Sequence, residues 1–407
     1  MKLADSSHSH HRRAIIVAFI GMFWLVHVAA WAESDSKESS KPTPFTSIVR
    51  ANFEKWDTNH DGTLSREEVN QLLEDPTIKG DDAAALAAIK GTCHHRAFTP
   101  ITLSFLREYQ DGTDQGKRAK IQQVDGANVD YDYDKVFIGC KGKIDATARE
   151  LFARKVPHLE DLKQSHFVGD CYFLAGVGSL LNRDPRELCD MMASNSDHSF
   201  TVRFRNGNTQ TVSAPTDAEV ALGACADRDG LWATVLEKAY EKLRQQSGTS
   251  KGEVEEGERE YTAIDGGSPR MSIEVMTGHS SKGRLFPNGA AECEKFAPAA
   301  RKMLSHMNTT HSIAATAVGP RHKMKEPRPA PPAVGGGHVY GVLGFDEKTD
   351  RVTLWNPMGI NFSPTGSEGL ENGYETKNGI FSMPLIEFLQ VYSGIGIELL
   401  DAPRKAH

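Results

Sequence analysis

Cys171 stands in the stretch Gly169-Asp170-Cys171-Tyr172-Phe173-Leu174-Ala175, between a glycine-acid turn and the start of an apolar helical run. A helix N-terminus presents unpaired backbone N–H groups and the positive end of the helix dipole, so a thiol there ionises more readily and can attack a carbonyl. Asp170 suits the N-cap position, and Tyr172, Phe173, Leu174, Val177, Leu180 and Leu181 would bury the rest of the helix. A cysteine nucleophile also needs a base and a group to orient that base. His338 is the best base, because it follows Gly335-Gly336-Gly337 and opens a strand, where its ring can stand at a cleft edge. Asn356 follows the next strand, in Trp355-Asn356-Pro357-Met358-Gly359. If the two strands are antiparallel neighbours, its amide lies beside His338 and can fix the imidazole tautomer. Taken alone, each residue has a plainer reading: histidine occurs 16 times here, and an Asn-Pro-x-Gly segment is commonly a turn.

A second chemistry lies further upstream. Asp57-Thr58-Asn59-His60-Asp61-Gly62-Thr63-Leu64-Ser65-Arg66-Glu67-Glu68 fits the EF-hand calcium loop at every coordinating position. Asp57, Asn59 and Asp61 would offer side-chain oxygens, Thr63 its carbonyl, Ser65 a water-bridged contact and Glu68 both carboxylate oxygens. Gly62 permits the sharp turn, and Leu64 points into the core. Such hands normally pair, and a second helical pair from Asp81 onward can serve as partner. No near-duplicate of the loop supports a dockerin-like adhesion module.

The elements that must carry these groups divide the chain as follows. Residues 1–32 read as an export signal: Lys2, Arg12 and Arg13 precede the apolar run Ala14 to Trp31, and Ala30-Trp31-Ala32 is an A-x-A-type cleavage site. Left uncleaved, this segment would serve as a membrane anchor. Residues 33–44 read as a linker, 45–115 as a helical domain containing the calcium loop, 116–144 as a polar linker and 145–402 as the domain carrying Cys171. Within the last, His198 to Phe204 alternates, Asn206-Gly207 signals a hairpin, and Thr209 to Ser213 returns. Trp232, Val235, Leu236, Ala239, Tyr240 and Leu243 share one face of an amphipathic helix. Residues 319–337, with five prolines and three consecutive glycines, read as a mobile loop before the strand His338 to Phe345.

In combination, the cysteine, histidine and asparagine segments resemble the calpain family of cysteine proteases. Further similarity lies in Leu231-Trp232-Ala233-Thr234-Val235-Leu236-Glu237-Lys238-Ala239-Tyr240 and in Ile264-Asp265-Gly266-Gly267. The resemblance spans roughly residues 145 to 402. It implies an α+β, papain-like fold of two subdomains, a helical one carrying Cys171 and a curved antiparallel sheet carrying His338 and Asn356, with an extended polypeptide bound between them. It also implies an oxyanion-stabilising glutamine six residues before the cysteine. Position 165 is serine, and the glutamine is Gln164, seven before; Ser165 and His166 are the substitutes to consider. Met358 stands where many members of the family carry a tryptophan.

Composition narrows the alternatives. The net charge of −7 is spread through the chain, with no basic footprint for nucleic acid. Polypeptide substrate and Ca2+ are the expected partners, and oligomeric state is not legible. Of six cysteines, Cys171 must stay a free thiol, and the remaining five permit at most two bridges of unspecified pairing. Cys93-His94-His95 lacks a second ligand pair at zinc-like spacing. Two other functions remain open: a transglutaminase-like acyl transferase on the same triad, and a catalytically inactive exported calcium-binding module.

Overall fold

The computed structural model describes residues 43–92, 98–111, 119–122, 128–248, 264–319 and 328–400. The export segment, nearly all of the linker 33–44, Cys93-His94-His95 and residues 320–327 lie outside them. Within the described residues the protein mixes helices with mainly antiparallel sheet, an α+β arrangement.

The N-terminal region is built from two helix pairs. The helix Pro44–Trp56 begins with a capping box, in which Thr43 Oγ1 accepts from the Thr46 N–H and Thr46 Oγ1 from the Thr43 N–H. The loop from Asp57 leads through the short strand Thr63–Leu64 to the helix Arg66–Leu73, capped by Ser65 and Glu68. A second pair follows, Gly80–Lys90 and Leu103–Asp111. The two pairs are joined by an antiparallel ladder in which Leu64 opposes Ile101, and both side chains are fully buried. This ladder satisfies the backbone edge that a lone loop would leave open.

Of the segment 116–144, the described residues 119–122 and 128–144 carry regular structure. Strands Ala119–Gln122 and Asn128–Tyr131 form a hairpin, and Tyr133–Ala146 is a helix capped by Asp132. Tyr131, Tyr133, Phe137, Cys140 and Ile144 join the core of the two helix pairs, with the Phe45 and Tyr133 rings stacked 5.0 Å apart. Asp132 caps the helix and Asp134 lies in its first turn, while the aromatic residues Tyr131 and Tyr133 beside them are buried. The same core takes in Ala218, Ala221 and Leu222 of the helix Asp217–Leu222. Packing therefore runs on from the N-terminal helices into the region that carries Cys171.

That region centres on the helix Cys171–Arg183, whose residues 172–181 are all buried. Around it lie the helices Trp232–Ser247 and Pro269–Thr277 and a three-stranded antiparallel sheet, Met192–Ser194, Phe200–Arg203 and Thr209–Val212. A larger six-stranded sheet has the order Ile380–Pro384, Arg351–Trp355, His338–Asp346, Ala314–Val318, Gly394–Glu398, Ser281–Leu285, and every pairing is antiparallel. Side chains alternate across it. Val339 and Leu343 pack with the helix Cys171–Arg183, while Tyr340 and Val342 pack with the helix Ala290–Thr310. One sheet thus separates two cores.

The reading of 319–337 as a mobile loop is corrected for residues 328–337. Arg328 is buried and donates to the carbonyls of Leu389, Gln390, Phe286 and Pro287. Five donors on one planar group let a single side chain tie a proline-rich segment to the end of the helix Leu385–Val391 and to the segment after the strand Ser281–Leu285. Val334 is buried in the adjacent core.

Candidate active site

Glycine spacing decides how closely the Cys171 helix approaches the sheet. A Cβ on Gly178 would come within 2.3 Å of the Trp355 ring, and one on Gly341 within 3.0 Å of the Ala175 carbonyl. A Cβ on Gly176 would collide with Ser272, whose hydroxyl donates to the Phe173 carbonyl at 2.7 Å. The Ser179 hydroxyl donates to the Ala314 carbonyl at 2.8 Å, and the Asn182 amide to Leu343 at 3.0 Å. The helix start is thereby set against the first residue of the strand His338–Asp346.

Cys171 is half-buried at that start. Asp170 does not cap the helix with its side chain, contrary to its sequence position; its carbonyl instead accepts from the Phe173 and Leu174 N–H groups. Burial pushes the Cys171 thiol up to about 11, the Val339 N–H opposes that rise, Asp170 adds to it, and the Tyr172 and Cys171 N–H groups offset a further part.

His338 opens its strand and packs edge-on against Tyr340, with ring centroids 4.9 Å apart. Its Nε2 lies 2.9 Å from Asn356 Oδ1. That oxygen also accepts from the Met358 N–H at 3.0 Å, so it acts as an acceptor and the His338 proton belongs on Nε2. Nδ1 is left as the basic nitrogen. Burial holds the imidazole below its ordinary range, with the Asn356 hydrogen bond working in the opposite direction. Asn356 is itself buried, its N–H bound to the Gly379 carbonyl at 2.8 Å. Among the described residues no hydrogen bond joins the Cys171 sulfur to His338.

Gln164 and Cys171 line one open cavity of about 310 Å³, together with Gly266, Gly267, His338 and Met358. The Gln164 N–H donates to the Pro357 carbonyl at 2.7 Å, which fastens it to the Asn356 turn. Its side-chain amide donates to the Val168 carbonyl at 2.8 Å, and its buried Oε1 has no partner among the described residues. Ser165 accepts from the Phe167 N–H at 3.2 Å, and both Ser165 and His166 border the cavity.

One organising residue was not legible as such. Arg244, on the last turn of the helix Trp232–Ser247, is buried and donates to the Tyr172 hydroxyl and, at 2.9 Å, to the Gly266 carbonyl. It fixes the Gly266-Gly267 wall of the cavity. Only a basic residue on an otherwise apolar helix face marks it in the sequence.

In the loop from Asp57 to Glu68, the acceptors are hard oxygens suited to calcium. Asp57 accepts from the Asp61 and Gly62 N–H groups at 3.1 and 2.8 Å, and Asn59 Oδ1 from Asp61 at 2.9 Å. Gly62 has φ +83°, as the turn requires. Burial opposes ionisation of Glu68, but hydrogen bonds from Ser65, Asn59 and Thr58 outweigh it and hold its carboxyl below the ordinary range. The donor types and the turn fit a calcium ion. The Glu68 oxygens are engaged by the loop's own donors. A separate group, His158, Asp161 and Asp229, brings its ligand atoms within 4.8 Å of one another, and Arg154 pairs with both of its carboxylates.

Cys140, Cys171, Cys189, Cys225 and Cys293 are free thiols. Among the described residues no helix is long and apolar enough to cross a membrane. Residues 143–369, more than half of the chain, match the family model for the calpain family cysteine protease. No curated protein matches the chain.

Proposed function

Because the chain belongs to the calpain family of cysteine proteases, we propose that it is an exported, calcium-binding cysteine endopeptidase with Cys171 as nucleophile, His338 as base and Asn356 as the group that orients the base. The observation that carries this reading is the 2.9 Å contact of His338 Nε2 with Asn356 Oδ1, on a ring that borders the same cavity as Cys171.

His338 Nδ1 takes the thiol proton as the sulfur attacks the peptide carbonyl carbon, and then delivers that proton to the departing amine. The Cys171 N–H is one donor to the oxyanion. The Gln164 amide becomes a second once it exchanges the Val168 carbonyl for the substrate oxygen. Water then attacks the thioester, His338 accepts its proton, and the sulfur leaves as thiolate. Asn356 holds the ring in one tautomer throughout.

Asp57, Asn59, Asp61, Thr63, Ser65 and Glu68 are the proposed calcium ligands, with the Glu68 carboxylate released from its loop hydrogen bonds. A bound ion would neutralise the repulsion among Asp57, Asp61 and Glu68 and so stabilise the helix pairs. Export rests on residues 1–32, with cleavage near Ala32.

The test is hydrolysis of a mixed peptide library by the full chain and by Cys171→Ala, with calcium present. Loss of cleavage in the variant is expected, and continued cleavage would remove the triad. Titrating calcium against both rate and melting temperature separates regulation from stabilisation: a rise in melting temperature at constant rate leaves calcium a structural ion only.

A further inference from the structure

A carboxyl group immediately before a nucleophilic cysteine poses an electrostatic problem, because a negative charge there opposes formation of the thiolate. Asp170 occupies that position and is fully buried. It does no capping, and neither of its oxygens has an ordinary donor among the described residues. The group that acts on it most strongly is Glu237, a second buried carboxyl, from the helix Trp232–Ser247, whose Oε1 likewise has no donor among the described residues. Two neighbouring carboxyls out of water favour keeping one proton between them.

The surroundings decide which member keeps the charge. Glu237 Oε2 accepts from the Ala224 N–H at 2.8 Å, and the ammonium of Lys143, on the helix Tyr133–Ala146, attracts it. That ammonium is anchored by the carbonyls of Ala221, at 3.2 Å, and Gly223. Gly223 also leaves the space, since a Cβ there would come within 2.4 Å of Glu237 Oε2. The other groups facing the pair are Asp265, whose Oδ1 accepts from the Gly169 N–H at 2.6 Å, and the Tyr240 hydroxyl, beside Arg244. Asp265 adds negative charge and so favours retention of the shared proton. Glu237 and Gly223 border a cavity of about 390 Å³, a route by which water can exchange that proton.

We propose that Glu237 is a positioning residue that holds the negative charge of the pair away from the nucleophile, keeping Asp170 protonated beside Cys171. Burial pushes both carboxyls above their ordinary range, and the charge on Glu237 adds to the rise at Asp170. Lys143, at the start of the segment that matches the peptidase family, then supports the nucleophile through Glu237 and Asp170. The inference rests on Cys171 as the nucleophile.

The test is the rate of alkylation of Cys171 by iodoacetamide around neutral pH in the full chain, followed by mass spectrometry of the Cys171 peptide. Glu237→Gln leaves Asp170 to carry the charge, so alkylation should slow by about ten- to a hundredfold, and the acid limb of kcat/KM should move to higher pH. Asp170→Asn should not speed alkylation, because no charge is removed, and adding it to Glu237→Gln should restore the rate. A folded Glu237→Gln protein alkylated at the wild-type rate would overturn the proposal. So would faster alkylation of Asp170→Asn, an arm that decides the matter even if Glu237→Gln fails to fold. The readout is the thiol itself: a chain that titrates as described but cleaves no peptide keeps this inference and loses the proposed function.

Discussion

In the loop Asp57–Glu68, each hydrogen bond to Asp57, Asn59, Asp61 and Glu68 described above closes within the loop itself. In the cleft, Cys171, His338 and Asn356 come from a helix and two strands far apart in the chain, and they are fixed by contacts such as Gly178 on Trp355 and Ser179 on Ala314. The loop is a local solution to placing charge, and a change in it should be felt locally. The cleft is a packing solution, so damage to a residue that never touches substrate should reach the chemistry.

The comparison can be broken at several points. Cys171→Ala should lower peptide hydrolysis by at least about 10³-fold while leaving the melting temperature near that of the parent, since the nucleophile carries chemistry rather than core. Asn356→Ala should cost of order 10²-fold in kcat, because the imidazole loses its orientation but not its basicity. Gly178→Ala puts a methyl group into the Trp355 ring, so it should destabilise by about 1–3 kcal/mol in denaturant unfolding and also reduce kcat. If kcat is untouched, the packing argument for the cleft fails.

Smaller effects probe the loop and the histidine. Calcium should raise the melting temperature of the parent, and Glu68→Gln should abolish that rise while leaving the catalytic rate without calcium close to the parent rate. Finally, folded His338 binds its proton less tightly than the ordinary value of 6.5, so the unfolded chain takes up the proton first as pH falls. Its contribution to stability is therefore present above pH 6.5 and lost below it. His338→Gln should flatten that part of a melting-temperature profile.

What was legible in the sequence follows the same division. The helix at Cys171, the helix from Trp232, the hairpin around Asn206-Gly207 and the strands from His338 and Arg351 all announce themselves by period and turn residues. The calcium-loop pattern is local, and so are the capping residues of the helix that follows it. The helix Tyr133–Ala146 was hidden because its buried Tyr133 stands between Asp132, which caps it, and Asp134 in its first turn. Arg328 was hidden because four carbonyls from a helix end and a distant loop, rather than its neighbours in sequence, hold it. Asp170 looked like a cap by position, yet its burial against Glu237 depends on a helix more than sixty residues later. The orientation of Gln164 likewise follows from the Asn356-Pro357 turn, which the sequence places far away.

One measurement decides whether these distant parts form a working nucleophile: the site and rate of labelling of the full chain by a peptidyl electrophile, in the parent and in His338→Ala. A single adduct on Cys171, formed at least about a hundredfold more slowly in the variant, is the predicted result. Adducts spread over the other cysteines, or equal rates at Cys171 with and without His338, would contradict it.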